Sequence, residues 1–134
     1  MTLTPDEFRR LRSANAKGSK PEHQLQAACV RWFRFQYPQY APLLISIPNG
    51  AALLSGGAGW KYLKAEGAVA GASDLLLLVP REDCPYLAIE MKTAKGRQRQ
   101  SQKDWADAVR SVGGRYEVVR STFGFEEVLN LYLK

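Results

Sequence analysis

The chain has 134 residues, 46% of them apolar, which is enough for one hydrophobic core and leaves little room for a second. A formal charge of +6 favours a polyanionic partner, because a basic surface that neutralises phosphates releases their counterions. No signal-peptide-like run is present and no apolar stretch reaches about 18 residues, so a membrane role is not expected. Cys29 and Cys84 are too few for a disulfide framework, and we expect reduced thiols in an intracellular protein.

Two helix starts are predicted near the N-terminus. Thr4-Pro5-Asp6-Glu7 combines an N-cap, a proline and a capping-box acid, so a short helix is expected to reach about Arg12, followed by a polar linker. Ser19-Lys20-Pro21-Glu22 repeats the spacing and begins a second helix that ends near Gln36. Its apolar residues recur at helical intervals: Leu25, Ala28, Cys29, Trp32 and Phe33. We therefore divide the chain into an N-terminal helix and linker (1–18) and a single domain (19–134).

The next segment predicts one strand and one short helix. Pro38 and Pro42 stop the preceding helix, Leu43–Ile47 is predicted as a strand, and Pro48-Asn49-Gly50 as a turn. Gly56-Gly57-Ala58-Gly59 is expected to be a flexible loop. A short amphipathic helix should follow before Gly67, with Trp60 and Leu63 facing inward and with Lys61 and Lys64 facing outward.

A hairpin follows, opened by Asp74 in the sequence Gly71-Ala72-Ser73-Asp74-Leu75. If residues 80–85 form the connection, Val79 faces Tyr86, and Asp74 then faces Met91. Because side chains alternate along a strand, Glu90 and Lys92 should share one face, while Ile89 and Met91 point to the other.

The C-terminal third predicts a basic loop (95–99), a helix, a strand and a final helix. The first helix should span Ser101–Val112 and bury Trp105, Ala108, Val109 and Val112. A strand is expected over Tyr116–Val119. The last helix should cover the sheet with Phe125, Val128, Leu129 and Tyr132. The order of elements predicts an α/β fold with helices around a central sheet.

The hairpin also carries the residues with the clearest chemistry. Two nearby carboxylates, Asp74 and Glu90, attract a hard divalent cation such as Mg²⁺ or Mn²⁺, and the Ile89 carbonyl could add a ligand. Lys92 could orient a water or stabilise charge on a phosphorus oxyanion. These groups suit phosphodiester hydrolysis. The alternative is that Asp74, Glu90 and Lys92 form only a structural ion pair.

These residues resemble the D…ExK core of the PD-(D/E)xK nuclease superfamily, a restriction-endonuclease-like fold with a central mixed sheet flanked by helices. Finer features resemble the virus-type replication-repair nuclease domain, VRR-NUC, from about Glu22 to the C-terminus. The segments that carry this resemblance are Glu22 with Gln26, Pro48-Asn49-Gly50, Gly71-x-x-Asp74, Glu90-x-Lys92 and Ser101-Gln102. One departure is Ser73, where many members have proline.

The resemblance implies a role for each matching residue. Asp74 and Glu90 would be metal ligands, Lys92 the catalytic lysine, and Gln102 a helix-borne residue that supports the site. Glu22 would approach the metal directly or through water, although it is also explained as the capping partner of Ser19.

A basic surface is expected beside this site. Its residues are Lys61, Lys95, Arg97, Arg99 and Lys103, which either contact phosphates or form an ordinary solvated surface. His23 is expected to be a solvated surface residue. The tryptophans are interpreted as core residues before base-stacking platforms.

The sequence thus favours a metal-dependent, structure-selective DNA endonuclease. The resemblance implies branched DNA such as four-way junctions as substrate, a homodimer, and a bacterial or phage origin. The rival hypotheses are a sequence-specific restriction-type nuclease and a nucleic-acid-binding module without catalysis.

Overall fold

The computed structural model of this chain describes residues 21–47 and 57–134. The helices are α1 (Pro21–Gln36), α2 (Gly57–Ala65), α3 (Gln100–Ser111) and α4 (Thr122–Leu133), and a 3-10 helix spans Pro38–Leu43. The strands are β1 (Leu44–Ser46), β2 (Leu75–Leu77), β3 (Leu87–Met91) and β4 (Arg115–Val119). The predicted helix near residues 4–12, its linker, the Ser19 cap and the Pro48-Asn49-Gly50 turn lie outside the described residues.

The four described strands form one mixed sheet in the order β1-β2-β3-β4. β1 and β2 pair antiparallel, as do β2 and β3, whereas β3 and β4 are parallel. The parallel pair is connected through α3, because two parallel strands cannot be joined by a tight turn. The predicted mixed α/β sheet flanked by helices is confirmed.

The predicted hairpin register is wrong by one residue. Leu75 faces Ile89 and Leu77 faces Leu87, so Asp74 is aligned with Glu90 instead of Met91. The shift arises in the connection, where an isolated bridge joins Arg81 to Cys84. The chain uses one more residue between Leu77 and Arg81 than between Cys84 and Leu87, as a β-bulge does.

The two faces of the sheet pack against different helices, as the alternation along β3 predicts. Leu87, Ile89 and Met91 belong to the larger core cluster with Phe33 of α1 and Phe125 of α4. On the other face, Ala88 and Tyr116 pack with Ala106 and Val109 of α3. Glu90 alternates with Ile89, so it lies on the α3 face.

The buried stripe of α3 differs from the predicted one. Ala108 is exposed and Val112 is 69% exposed, whereas Gln102 and Ala106 are buried beside Val109. The apolar periodicity misleads at Val112, because α3 ends at Ser111 and the chain turns away at Gly113, whose φ is +87°. Gln102 was predicted beside this face, and burial of a polar side chain there requires a partner.

α2 starts earlier than expected, since Gly57, Ala58 and Gly59 of the predicted glycine-rich loop belong to this helix. In that helix Trp60 and Leu63 are half-buried, whereas Lys61 is exposed, as predicted. Both cysteines are free. None of the helices that the structure describes is long and apolar enough to cross a membrane.

Candidate metal-dependent active site

Asp74 lies immediately before β2, and its backbone and side chain are both held by neighbouring strands. Its carbonyl accepts a hydrogen bond from the Ile47 N–H at 2.9 Å. Its Oδ2 accepts one from the Met91 N–H at 2.8 Å. The carboxylate is therefore fixed beside the end of β3. Ser73, the departure from the family pattern, is fully buried, and its hydroxyl donates to the Leu75 carbonyl at 2.9 Å.

Glu90 is the most unusual group of the site. It lies on β3, and only 2% of its surface is exposed. Its Oε2 accepts a hydrogen bond from Gln102 Nε2 at 3.2 Å, but its Oε1 is buried without a hydrogen-bond partner among the described residues. Burial, and then the adjacent Asp74 carboxylate, raise the pKa of Glu90 to about 9, with Lys92 opposing the shift and Glu22 adding to it.

This environment fits a divalent cation. A buried carboxylate oxygen without a partner is costly, and a second carboxylate beside it increases the cost. Mg²⁺ prefers oxygen ligands and is commonly bound through one or two carboxylates while it keeps several waters. In residues 21–47 and 57–134 no group of three or more His, Cys, Asp or Glu side chains could hold a metal. Because no third such side chain among the described residues joins them, Asp74 and Glu90 would be the two carboxylate ligands of the cation. Backbone carbonyls and waters would complete its coordination shell.

The backbone geometry favours Met91 over Ile89 as a carbonyl ligand. In a strand the N–H and C=O of one residue leave on the same side, and this side alternates along the chain. Since the Met91 N–H points to Asp74, the Met91 carbonyl also faces β2, beyond the last paired residue of that strand. The Ile89 carbonyl faces β2 too, but Leu75 lies directly opposite it within the ladder.

Lys92 and Glu22 both act electrostatically on Glu90, in opposite directions. Lys92 follows β3, is 6% exposed, and is anchored by its N–H, which donates to the Val119 carbonyl at 2.9 Å. Glu22 lies in the first turn of α1 and is half-buried. Its charge raises the pKa of Glu90, although it is not part of a three-carboxylate cluster. Its position fits an indirect contribution better than direct ligation.

Gln102 connects α3 to the carboxylates. Its Oε1 accepts a hydrogen bond from the Arg99 N–H at 2.8 Å, which fixes the amide orientation and caps the helix. Its Nε2 is then directed to Glu90. The structure thus brings together Asp74, Glu90, Lys92 and Gln102, as the sequence predicts.

Gly71 allows this approach and was noted in the sequence only as part of the Gly71-x-x-Asp74 pattern. Its φ is +85°, and a Cβ there would lie 2.1 Å from the Ser101 carbonyl oxygen and 2.8 Å from the Gln102 nitrogen. Only glycine combines that backbone conformation with so close a contact. The start of α3 therefore packs directly against the segment that leads into Asp74.

Sequence reasoning missed Arg120. Its Nη1 donates to the Thr93 carbonyl at 2.8 Å and to the Gly96 carbonyl at 2.6 Å, which fixes the loop after Lys92. Its position one residue after a strand parallel to β3 was the available signal, because neighbouring parallel strands end at the same sheet edge. The residues of the predicted basic surface are all exposed: Lys61, Lys95, Arg97, Arg99 and Lys103.

A mixed sheet with an aspartate at the start of one strand and a Glu-x-Lys on its neighbour defines an α/β protein of the PD-(D/E)xK nuclease class. The model of the VRR-NUC domain matches residues 20–123, and the chain belongs to this family, whose members are generally nucleases. A solved structure described as a VRR_NUC domain protein is similar, with a TM-score of 0.73 and 19% sequence identity over 85% of this chain and 88% of that chain. That likeness shows the shared fold. No curated protein matches.

Proposed function

We propose that this protein is a metal-dependent, structure-selective DNA endonuclease in which Asp74 and Glu90 bind Mg²⁺ or Mn²⁺. The observation that carries the proposal is the buried Glu90 Oε1, which lacks a partner in the described part of the chain, on a residue that faces Asp74. Family membership supports nuclease chemistry in general.

The chain's own residues have separate tasks in this reaction. Asp74 is oriented by the Met91 N–H, and Glu90 by Gln102, so the two carboxylates keep a fixed geometry. The ammonium group of Lys92 positions the attacking water or stabilises the negative charge that develops on the phosphorus oxyanion. The bound cation would offset carboxylate repulsion and lower the pKa of a coordinated water.

Structure selectivity is supported by the type of contact that the basic surface can make. Lys95, Arg97 and Lys103 are exposed near the site. Contacts from such side chains to phosphates position DNA but do not identify its bases. We propose branched DNA as the substrate and a homodimer as the active form, because a homodimer has two active sites that can cut two opposed strands. A monomer in light scattering at micromolar concentration would contradict the dimeric form.

The test compares wild type with Lys92→Met, which keeps most of the side-chain length, and with Lys134→Met, an exposed control. Each is incubated with four-way junction, flap, single-stranded and linear duplex DNA in Mg²⁺, Mn²⁺ or EDTA. We expect cleavage by wild type and the control in metal, and loss in EDTA and in Lys92→Met. Tight binding without cleavage in either metal would instead favour the binding module, and one cut motif in every substrate would favour the restriction-type enzyme.

A further inference from the structure

The loop between β3 and α3, residues 93–99, is bound to β4 on one side and carries cations on the other. We call it the β3–α3 loop. Its half-buried residues are Thr93, Gly96 and Gln98. The basic residues that alternate with them are all exposed: Lys95, Arg97 and Arg99. The loop therefore presents a row of positive charges while its remaining residues are turned toward the protein.

Arg120 closes a tight turn at the start of this loop. The Gly96 N–H donates to the Thr93 carbonyl at 3.1 Å, which makes Thr93–Gly96 a four-residue turn with Lys95 at its corner. Arg120 Nη1 donates to the carbonyls at both ends of the turn, at 2.8 Å to Thr93 and at 2.6 Å to Gly96. One guanidinium nitrogen thus holds the two ends together, so the position of Lys95 depends on Arg120.

Tyr116 of β4 holds the loop at a second point. Gln98 Nε2 donates to the Tyr116 hydroxyl at 3.0 Å. Tyr116 is 4% exposed and packs edge to face on Trp105 of α3, with ring centroids 6.1 Å apart, so its hydroxyl is a fixed acceptor. Burial, and then the charge of Glu90, raise the pKa of Tyr116 to about 12. This second anchor is therefore close enough to the candidate active site to respond to its charge.

The anchored loop suits a phosphate ligand. Neither Lys95 nor Arg97 forms an ion pair with an acid in residues 21–47 and 57–134, so their charges are not neutralised there. The backbone that carries them is held by hydrogen bonds before a ligand arrives, so less conformational entropy is lost on binding than with an unanchored loop. Cations of this kind gain affinity for DNA by releasing counterions from its phosphates.

The turn is also close to the proposed chemistry, because it directly follows Lys92. Lys92 and Lys95 are three residues apart in the chain, so their Cα atoms are at most about 11 Å apart. Phosphates on one strand of B-DNA are spaced about 3.4 Å apart along the axis. A phosphate at Lys95 therefore lies within about three nucleotides of one at Lys92.

We propose that Arg120 is a positioning residue for DNA binding, which closes the Thr93–Gly96 turn and thereby holds Lys95 against a backbone phosphate near the cleaved bond. The inference rests on the proposed function in taking DNA as the ligand. Lys92 is held separately, since its N–H donates to the Val119 carbonyl at 2.9 Å. Loss of Arg120 should therefore weaken the hold on DNA and leave the Lys92 backbone in place.

A double-mutant cycle separates positioning from a simple loss of charge. The proteins are wild type, Arg120→Gln, Lys95→Gln and the double variant, and the affinity for labelled duplex DNA is measured by fluorescence anisotropy in EDTA over a range of salt. In wild type, Lys95→Gln should weaken binding about fivefold at low salt and lower the salt slope by about 0.9, the value for one lost phosphate contact. In Arg120→Gln the same substitution should change the affinity by less than about twofold, because Lys95 no longer meets its phosphate.

Arg115→Gln is the matched control, because Arg115 is exposed, lies at the other end of β4 and carries the same charge. Combined with Lys95→Gln, it should give losses of affinity that add. A second measurement tests the anchor itself. Hydrogen exchange in residues 93–98 should become faster in Arg120→Gln and stay as in wild type in Arg115→Gln.

Additive losses from Arg120→Gln and Lys95→Gln would overturn the inference, because Arg120 would then contact phosphate independently or add only to the net charge. Unchanged hydrogen exchange of the loop in Arg120→Gln would overturn it as well. Since the cycle contains no metal, coupling in a protein that cleaves no DNA would reject the nuclease and leave the inference standing. Cleavage by wild type together with additive losses would reject the inference alone, and a wild type that binds no DNA would reject both.

Discussion

Glu90 carries the main energetic cost of the site. In the metal-free protein its carboxylate either holds a proton or places a second negative charge beside Asp74 in a buried position. Because its pKa is raised to about 9, Glu90 favours the protonated form below that pH. A cation that binds here must displace that proton, so metal affinity should rise with pH over the range in which Glu90 is protonated.

This proton gives the first prediction. The folded protein binds a proton at Glu90 between its ordinary pKa of 4.5 and about 9, whereas the unfolded chain does not. The Glu90 contribution to the free energy of unfolding is therefore complete below 4.5 and is lost as the pH rises through about 9. Urea unfolding of the metal-free protein from pH 5 to 9.5 should show this decline, and Glu90→Gln should lack it. An identical pH dependence in both proteins would contradict the assigned pKa shift.

The second prediction concerns Gln102, which positions Glu90 without touching substrate. Gln102→Ala removes both the hydrogen bond to Glu90 and the helix cap at the Arg99 N–H. Loss of such a supporting contact typically lowers metal affinity or activity about 10- to 100-fold. Metal titration in the presence of DNA, with the rate as readout, should show a higher metal requirement.

Gln100→Ala is the matched control for this variant, because Gln100 lies on the same helix, is exposed, and bonds only to Asp104 among the described contacts. If both variants need the same metal concentration as wild type, Gln102 has no positioning role.

The sequence was enough to predict which residues form the site, but only some of their hydrogen-bond partners could be predicted from it. The types and spacing of Asp74, Glu90 and Lys92 predict a hairpin site because only period-two alternation and charge are needed. That Glu90 Oε1 has no hydrogen-bond partner among the described residues depends on three-dimensional packing. The position of Arg120 after β4 placed it at the same sheet edge as Lys92, but its two acceptors, the carbonyls of Thr93 and Gly96, could not be predicted because they are set by the path of the loop.

At the scale of elements, the contact between the Gly71 turn and the start of α3 determines how closely Gln102 approaches Glu90. A side chain at Gly71 meets the backbone of Ser101, which cannot move without displacing the helix. Gly67 has a comparable φ of +110° but no atom within 4 Å of the Cβ position. A substitution at Gly67 would therefore incur only the strain of a positive φ, whereas one at Gly71 would incur that strain and a steric collision.

We therefore predict that Gly71→Ala destabilises the protein by about 3 kcal/mol or more, whereas Gly67→Ala costs about 1 kcal/mol from its positive φ alone. Chemical denaturation measures both. Gly71→Ala should additionally lower the nuclease rate more than its loss of folded protein explains, since Gln102 is displaced. Equal costs at the two positions would show that α3 adjusts without strain.

Elements with strong periodicity and clear ends were predicted well. α1 ends at Gln36 before Pro38, and the apolar face of α4 contains Phe125, Leu129 and Tyr132 as expected. The 3-10 helix at Pro38–Leu43 was not predicted, because its residues have no apolar period and proline also suits turns. α3 was predicted one residue late at each end, as Ser101–Val112 instead of Gln100–Ser111. Its predicted buried stripe was right at Val109 but wrong at Ala108 and Val112, which are exposed.

For the whole molecule, packing of α1 against α4 closes the larger core. Trp32 and Phe125 meet edge to face with ring centroids 5.9 Å apart. Tyr37 donates a hydrogen bond to Asn130 Oδ1, and the Tyr132 hydroxyl donates to the Val79 carbonyl at 2.6 Å. These contacts tie the final helix both to α1 and to the end of β2.

The fourth prediction follows from this packing. Phe125→Ala should cost about 3–5 kcal/mol, because it removes a fully buried ring from the core, and lower the Tm by roughly 10 °C or more. Phe123→Ala on the same helix should change stability by less than about 0.5 kcal/mol, since Phe123 is 67% exposed. Thermal unfolding checks both, and similar losses would mean that Phe123 is covered in solution.

The overall architecture was predictable because alternating strands, an α3 crossover and an apolar α4 agree on one mixed sheet. What could not be predicted is the pairing register of β2 and β3, which depends on how many residues the connection uses on each side. Proline at positions 80 and 85 indicates a turn but not which side of it holds the extra residue.

The number of residues in this connection therefore sets the β2–β3 register, and with it the alignment of Asp74 with Glu90. Residues 82 and 83 lie inside the Arg81–Cys84 bridge, so an insertion between them lengthens the tip and leaves the count outside the bridge unchanged. A deletion between Leu77 and Arg81 instead forces either loss of the bulge or a one-residue slip, and a slip would exchange every side chain of β2 between the two faces. Natural variation in length should therefore accumulate at the tip and be absent from the segment beside it.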